Sequence, residues 1–180
     1  IGTSSFRRSA QLNVLRKDLK INIIRGNVDT RIRKLEQNQF DAIVLSHAGI
    51  KTLGLEKKIS QIFSEEEILP SVGQGVIALQ TRVDDMDTIN LINKINDQNT
   101  FNRVTAERAM LNTIEGDCNT AVAGLATIEK NLLKLKCELF SADGKQRYFV
   151  MVSGKIEEAK KIGIEAGKKL IAQAGTTYKK

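Results

Sequence analysis

The chain is poor in the residues on which many catalytic and structural schemes depend. Tryptophan is absent, aromatics make up 4% of the residues, and proline occurs once, at Pro70. Any core must therefore be built from Ile, Leu, Val and Ala, and there is little with which to stack nucleobases. There are two cysteines, Cys118 and Cys137, and one histidine, His47. These are too few for a disulfide framework, a zinc site or a histidine-based triad. No metal is expected, and a reducing cytosol is the expected compartment. No apolar run reaches the roughly 20 residues of a membrane span, and the first residues show no signal-peptide pattern. The opening residue, Ile1, sits inside what reads as a strand; the expectation is a chain that starts mid-protein.

What is present is positive charge, unevenly spread. The formal net charge is +7. Residues 1–34 carry Arg7, Arg8, Arg16, Lys17, Lys20, Arg25, Arg31, Arg33 and Lys34 against only Asp18 and Asp29. Such a segment suits an anionic partner, and on charge alone it suits a solvated basic face equally well. Nucleic acid is disfavoured, since no binding motif accompanies the charge.

The first part alternates short apolar runs with helical stretches. Ile1-Gly2-Thr3 reads as a strand end, followed by a helix capped by Ser4 or Ser5 and running to about Lys17. Ile21–Ile24 reads as a strand, then a helix from Asp29 or Thr30 to about Gln37. Residues 40–45 (FDAIVL) form a continuous run of the kind buried on both faces of a parallel sheet. This rhythm predicts an open α/β sheet over residues 1–69. Pro70 marks a boundary. Residues 70–97 hold the glycine-punctuated SVGQG turn, a strand-like Val76–Gln80 and a helix from Met86 to Ile95. Residues 98–180 change character. A helix is predicted over Thr100–Ile114, with Val104, Leu111 and Ile114 on one face and Gly116 at its end. Leu133, Leu135, Cys137 and Leu139 alternate with charged residues, a period of two. Asp143-Gly144 marks a hairpin turn, and Ile156, Ala159, Gly163, Ala166 and Leu170 form a helical stripe. A small α+β domain with an antiparallel sheet is expected there.

Three places carry candidate chemistry. Gly2-Thr3-Ser4-Ser5-Phe6-Arg7-Arg8 brings hydroxyls, free helix-start amides and two arginines together, a setting for an anion; an ordinary serine cap with surface arginines is the alternative. Arg25-Gly26-Asn27 with Arg31 repeats the pattern at a second strand end, where ligands of open α/β sheets bind. Cys118 lies in a helix-to-strand loop and is a candidate nucleophile, whereas Cys137 falls on the apolar face of an alternating strand. Gln74, between two glycines, can approach a ligand or simply shape a turn. His47 has no catalytic partner in the sequence.

Together these stretches resemble the porphobilinogen deaminase family. The resemblance rests on IGTSSFRR (1–8), Arg25-Gly26-Asn27 with Thr30-Arg31, Asp41–Leu45 with Ala48-Gly49, and Leu53-Gly54-Leu55. It continues through LPSVGQG (69–75), VTAERAM (104–110), and Glu115-Gly116 with Cys118. The resemblance implies a binding-protein-like second lobe, a crossover returning to a first domain, and a C-terminal domain bearing the cofactor. It implies a monomeric cytosolic transferase that deaminates porphobilinogen and joins the units into the linear tetrapyrrole hydroxymethylbilane. A dipyrromethane primer would be thioether-linked to Cys118. Arg7, Arg8, Arg25 and Arg31 would bind the carboxylates of cofactor and oligopyrrole intermediates, with Thr3, Ser4, Ser5, Ser46 and Gln74 lining the same cleft. Thr52 stands where the family often has a substrate-binding arginine, with Lys51 adjacent, and Asp117 replaces a common glycine. The motif carrying the family's catalytic aspartate is not in this sequence, so the 180 residues alone are expected to be inactive, and residues 76–93 are expected to be exposed, disordered or paired with another chain. A non-catalytic anion-binding lobe related to periplasmic binding proteins is the competing reading.

Overall fold

The computed structural model describes residues 1–116 and 120–179. Its first part is organised around Gly2. The Gly2 amide donates to the Ala42 carbonyl (2.8 Å), and its carbonyl accepts from the Val44 amide (3.1 Å). The Asn22 amide donates to the Ile1 carbonyl (2.9 Å) and the Thr3 amide to the Asn22 carbonyl (3.1 Å). Both contacts are parallel bridges, to Asn22 on one side and Ile43 on the other. A Cβ on Gly2 would lie 3.0–3.2 Å from Phe40, Ile43 and Ile24 side chains, so glycine lets the three segments meet.

Three helices follow these segments: α1 (Phe6–Leu15), α2 (Val28–Glu36) and α3 (His47–Thr52). Each begins on a polar side chain that accepts an orphan amide, from Ser5, Asn27 and Ser46 respectively. Ala10, Leu12, Ile24 and Ile32 are buried apolar side chains of this part. Two expectations need correction. The runs at 21–24 and 40–45 form isolated bridges, not strands. The second run is also not buried on both faces: Asp41 and Ala42 are exposed and Ile43, Val44 and Leu45 only half-buried. It has Gly2 as its bridge partner and stands at the border of a three-segment array, where an apolar run keeps one side open.

Residues 76–81 take no regular structure, where the sequence suggested a strand. Ile77 is 92% exposed and Val83 equally so; backbone groups that find no neighbouring strand cannot form a ladder. Helix α4 (Met86–Asn93) follows with no buried residue. Exposure of this stretch agrees with the sequence reading.

Helix α5 (Gln98–Ile114) starts on Asp97, whose carboxylate accepts from Thr100 N, and ends on Glu115 in the left-handed conformation. Its buried face is Ala106, Glu107, Met110 and Ile114, not the stripe of Val104 and Leu111, which are half-buried. Strands β1 (Val122–Glu129), β2 (Leu132–Phe140) and β3 (Arg147–Lys155) form an antiparallel sheet in that order. Leu135 sits opposite Ala126 and Val152, and Leu133, Leu135, Cys137 and Leu139 are fully buried, as the alternation required. Lys130 and Asn131 both take positive φ (49° and 62°), the two-residue turn whose twist suits a hairpin. The second turn contains Asp143 and Gly144. Helix α6 (Ala159–Ala174) packs with α5 on one face of the sheet and supplies Ile162, Ala166 and Leu170 to the core.

Candidate functional site

The loop entering α1 builds the first part of the site. Thr3 is buried, and its hydroxyl accepts from the Ser5 amide (3.3 Å). The Ser5 hydroxyl in turn accepts from the Arg8 amide (3.3 Å), while Ser4 stays exposed. This chain of short-range bonds fixes the helix start and the direction of the two arginines that follow.

Those arginines diverge. A step of one residue turns an α-helix by about 100°, so Arg7 enters the interior and Arg8 faces the segment at Val44. Arg7 is buried and donates through Nη1 to the Leu69 carbonyl (2.6 Å). Burial pushes its guanidinium down to about 10, Arg8 adds to the effect, and Glu138 opposes it. Arg8 donates through Nη1 to the Val44 carbonyl (3.0 Å). Its basicity is also lowered, first by burial and then by the charge of Arg31.

Arg31 comes from the second strand end. Its Nε donates to the Gly26 carbonyl (2.7 Å), so the guanidinium is folded back over the Arg25-Gly26-Asn27 turn. Arg25 is exposed, and its carbonyl accepts from Lys34 Nζ (3.1 Å). Arg31 is near enough for its charge to lower the basicity of Arg8. Among the described residues, none of Arg7, Arg8, Arg25 and Arg31 forms a salt bridge. An anion placed beside partly desolvated like charges would offset their repulsion.

The remaining candidates are less tightly joined. Ser46 caps α3 by accepting from the Gly49 amide (3.2 Å). Thr52 donates its hydroxyl to the Ala48 carbonyl (2.9 Å), and Lys51 is exposed. Gln74 is exposed in a turn where Gly73 and Gly75 both have positive φ. Cys118 and Asp117 lie outside the described residues. Cys137 is buried and burial raises its thiol well above the ordinary range, so it is inert core.

Two residues escaped the sequence reading. Gln11 accepts the Leu69 amide on Oε1 (2.6 Å) and donates Nε2 to the Leu69 carbonyl (3.1 Å). Glu107, 4% exposed, accepts the Gly73 amide (2.7 Å) and the Ala126 amide (2.9 Å). The available signal was spacing: Gln11 follows Arg7 by four, one turn along the same helix face, and Glu107 lies beside Ala106 on a buried stripe.

Comparison with known proteins adds an independent line. Residues 1–90 match the family model described as "Porphobilinogen deaminase, dipyromethane cofactor binding domain", and residues 101–172 match "Porphobilinogen deaminase, C-terminal domain". The chain is 42% identical over 175 residues to the porphobilinogen deaminase of Syntrophomonas wolfei, covering 97% of this chain and 57% of that protein. It is 42% identical over 175 residues to that of Bacillus cereus, covering 96% of this chain and 56% of the relative. Against that of Roseiflexus sp. it is 46% identical over 145 residues, or 81% of this chain and 48% of the relative. The chain therefore spans about half the length of the curated relatives it matches.

Proposed function

The chain belongs to the porphobilinogen deaminase family, and from that premise we propose that it supplies the carboxylate-binding lobe and the cofactor-bearing domain of an enzyme that deaminates porphobilinogen and condenses it into hydroxymethylbilane. In this reading residues 1–69 are the binding-protein-like second lobe. Residues 70–97 are the crossover towards a first domain, and residues 98–180 are the C-terminal domain. The enzyme is a monomer of the cytoplasm.

The observation that carries the proposal is that Arg8 and Arg31, each restrained by a backbone carbonyl, lie near enough for the charge of Arg31 to act on Arg8. Each pyrrole of the substrate bears two carboxylates. A cleft for several linked pyrroles needs cations that are not already neutralised, and these arginines have no acidic partner among the described residues. A carboxylate entering between Arg8 and Arg31 offsets their mutual repulsion and gains charge-assisted hydrogen bonds. Arg25 extends the positive surface towards solvent. Arg7 contributes its charge from behind, with one donor already given to Leu69. Thr3, Ser4, Ser5, Ser46 and Gln74 supply hydroxyl and amide contacts along the same cleft.

This donor set fits a dipyrromethane, a polycarboxylate carrying no positive charge. When bound at Cys118, that group supplies the carbon terminus to which further pyrrole units are added. The residues of this chain bind and orient it. Proton transfer and stabilisation of cationic pyrrole fall to the aspartate of the first domain, whose motif this sequence lacks.

Intact mass spectrometry tests the proposal in a protein of the relatives' length that contains this sequence. The expected mass exceeds that of the polypeptide by one dipyrromethane, and Cys118→Ala abolishes both the added mass and product formation. An unmodified, inactive protein would overturn the enzyme reading and favour a plain anion-binding lobe. The 180 residues alone should release no hydroxymethylbilane; product from them would overturn the division of labour.

A further inference from the structure

Residues 69–73 are gripped from two sides by buried polar groups, of which the proposed function uses only Arg7. On one side stands α1. Gln11 closes a two-way amide pair with Leu69, and Arg7 donates to the same carbonyl. Residue 70 turns the other way, as successive residues of an extended chain do. The Pro70 carbonyl accepts from the Gly124 amide (3.1 Å) on the outer edge of β1.

The next outward amide along β1 is that of Ala126, two residues on. Among the described residues, no backbone carbonyl takes it. Glu107 of α5 takes it instead, with Oε1 on the Ala126 amide (2.9 Å) and Oε2 on the Gly73 amide (2.7 Å). The carboxylate stands where the carbonyl of a pairing strand would stand, and it holds both chains at once. Ionised glutamate is suited to this because it offers two acceptor oxygens and no donor; glutamine would set an N–H against an N–H. Glu107 is 4% exposed, so its charge carries a desolvation cost that the two charge-assisted bonds offset only in part, and its carboxyl stays above the ordinary value. Arg103 contributes a favourable charge, and Cys137 on β2 lies close enough to feel the carboxylate.

We propose that Glu107 is a positioning residue: it splices residues 70–73 onto the edge of β1 and so fixes the Gly73–Gly75 turn that presents Gln74. That turn has positive φ at both glycines (67° and 77°), and a Cβ at either would meet nothing within 4 Å. The Gln74 amide closes the turn on the Ser71 carbonyl (3.0 Å) and Val72 packs against the core, while the Glu107 carboxylate ties Gly73 itself to the edge of β1. The catalytic consequence rests on the function proposed above, whereas the splice itself does not.

The test has two arms. In the 180-residue chain, amide hydrogen exchange is compared between the parent and Glu107→Gln. Exchange at Gly73 and Ala126 should accelerate by about tenfold or more, from the loss of hydrogen bonds to a charged group. The amides pairing β2 with β3 should keep their rates. Uniform acceleration throughout the sheet, or none at Gly73, would overturn the splice. Should Glu107→Gln fail to fold, Glu107→Asp decides: one methylene shorter, it should lose protection at one of the two amides, and full protection at both would overturn the proposal.

The second arm uses a protein of the relatives' length. Glu107→Gln should lower kcat with little change in KM for porphobilinogen, and its effect should not add to that of Gln74→Ala, because one acts through the other. Additive losses would overturn the role through Gln74. Absence of activity in the unmodified protein would instead refute the function, leaving the exchange result to decide the splice.

Discussion

Replacing Gly163 with alanine should destabilise the protein, although the same change in most helices is stabilising. Gly163 lies where α6 crosses α5. An added Cβ would sit 2.1 Å from the Ala106 carbonyl oxygen, 2.7 Å from Ala109 Cβ and 2.9 Å from the Met110 amide nitrogen. A carbon–oxygen contact needs about 3.3 Å, so the shortfall exceeds about 1 Å. The carbonyl belongs to the backbone of α5 and cannot rotate aside, so the helices must part. A gap of about 0.5–1 Å forfeits a quarter to a half of each contact's attraction, and overpacking of this sort costs about 1–3 kcal/mol, occasionally more. Backbone meeting a new methyl belongs at the upper end. Against this, alanine gains about 1 kcal/mol of helix propensity over glycine. The expected net loss is about 2 kcal/mol, or roughly 10 °C in melting temperature for a domain near 100 residues. Thermal unfolding followed by far-ultraviolet circular dichroism measures it. A melting temperature equal to or above that of the parent would refute the close-packed seam. Ala106 adjoins Glu107, so the same variant should also speed exchange at the Ala126 amide.

Two further outcomes follow from charge. Arg31→Ala should weaken binding of a polycarboxylate probe such as citrate by about tenfold or more in titration calorimetry, whereas Arg33→Ala, exposed on the same helix, should not; equal losses would mean diffuse attraction without a site. Burial holds the Glu107 carboxyl above its ordinary value, so its protonated form is favoured on folding. That stabilisation is full below the ordinary carboxylate range and is lost as pH rises through the raised value. The stability of the parent minus that of Glu107→Gln should therefore fall as pH rises from below the ordinary carboxylate range through the raised value; a rise across that range in urea titrations would contradict the burial argument.

How much of this was legible in the sequence depends on how local the cause is. The period of two in β2 and the Asp143-Gly144 turn report directly on backbone geometry, and the structure matches both. The caps at Ser5, Asn27 and Ser46 act within three residues; only the serine cap of α1 was read in the sequence, and α1 and α2 begin within a residue or two of expectation. The Lys130-Asn131 turn was missed because lysine is no turn former; the positive φ there is imposed by two strands already paired on either side. The apolar runs at 40–45 and 76–80 misled for the opposite reason. A run of Ile, Val and Leu shows the capacity to pair, and pairing requires a neighbour that the run itself does not specify.

The paired arginines show the same limit at the scale of the site. In the sequence Arg7 and Arg8 are one motif. In the structure helical rotation gives them separate tasks: Arg7 joins Gln11 in fixing Leu69, and Arg8 confronts Arg31. The two tasks depend on each other. Two like charges brought together repel, and mobile side chains would swing apart into solvent, where the repulsion is screened. Arg8 is restrained by the Val44 carbonyl and by a helix start fixed through Thr3 and Ser5, and Arg31 is restrained by the Gly26 carbonyl. Arg7, buried beneath, anchors α1 to Leu69. The repulsion is thus held in place by neutral backbone acceptors that leave both charges intact. Replacing any of these acceptors with a carboxylate would relieve the repulsion and fill the site with the protein's own anion. Restraint through carbonyls keeps the positive charge concentrated for a carboxylate that arrives from outside.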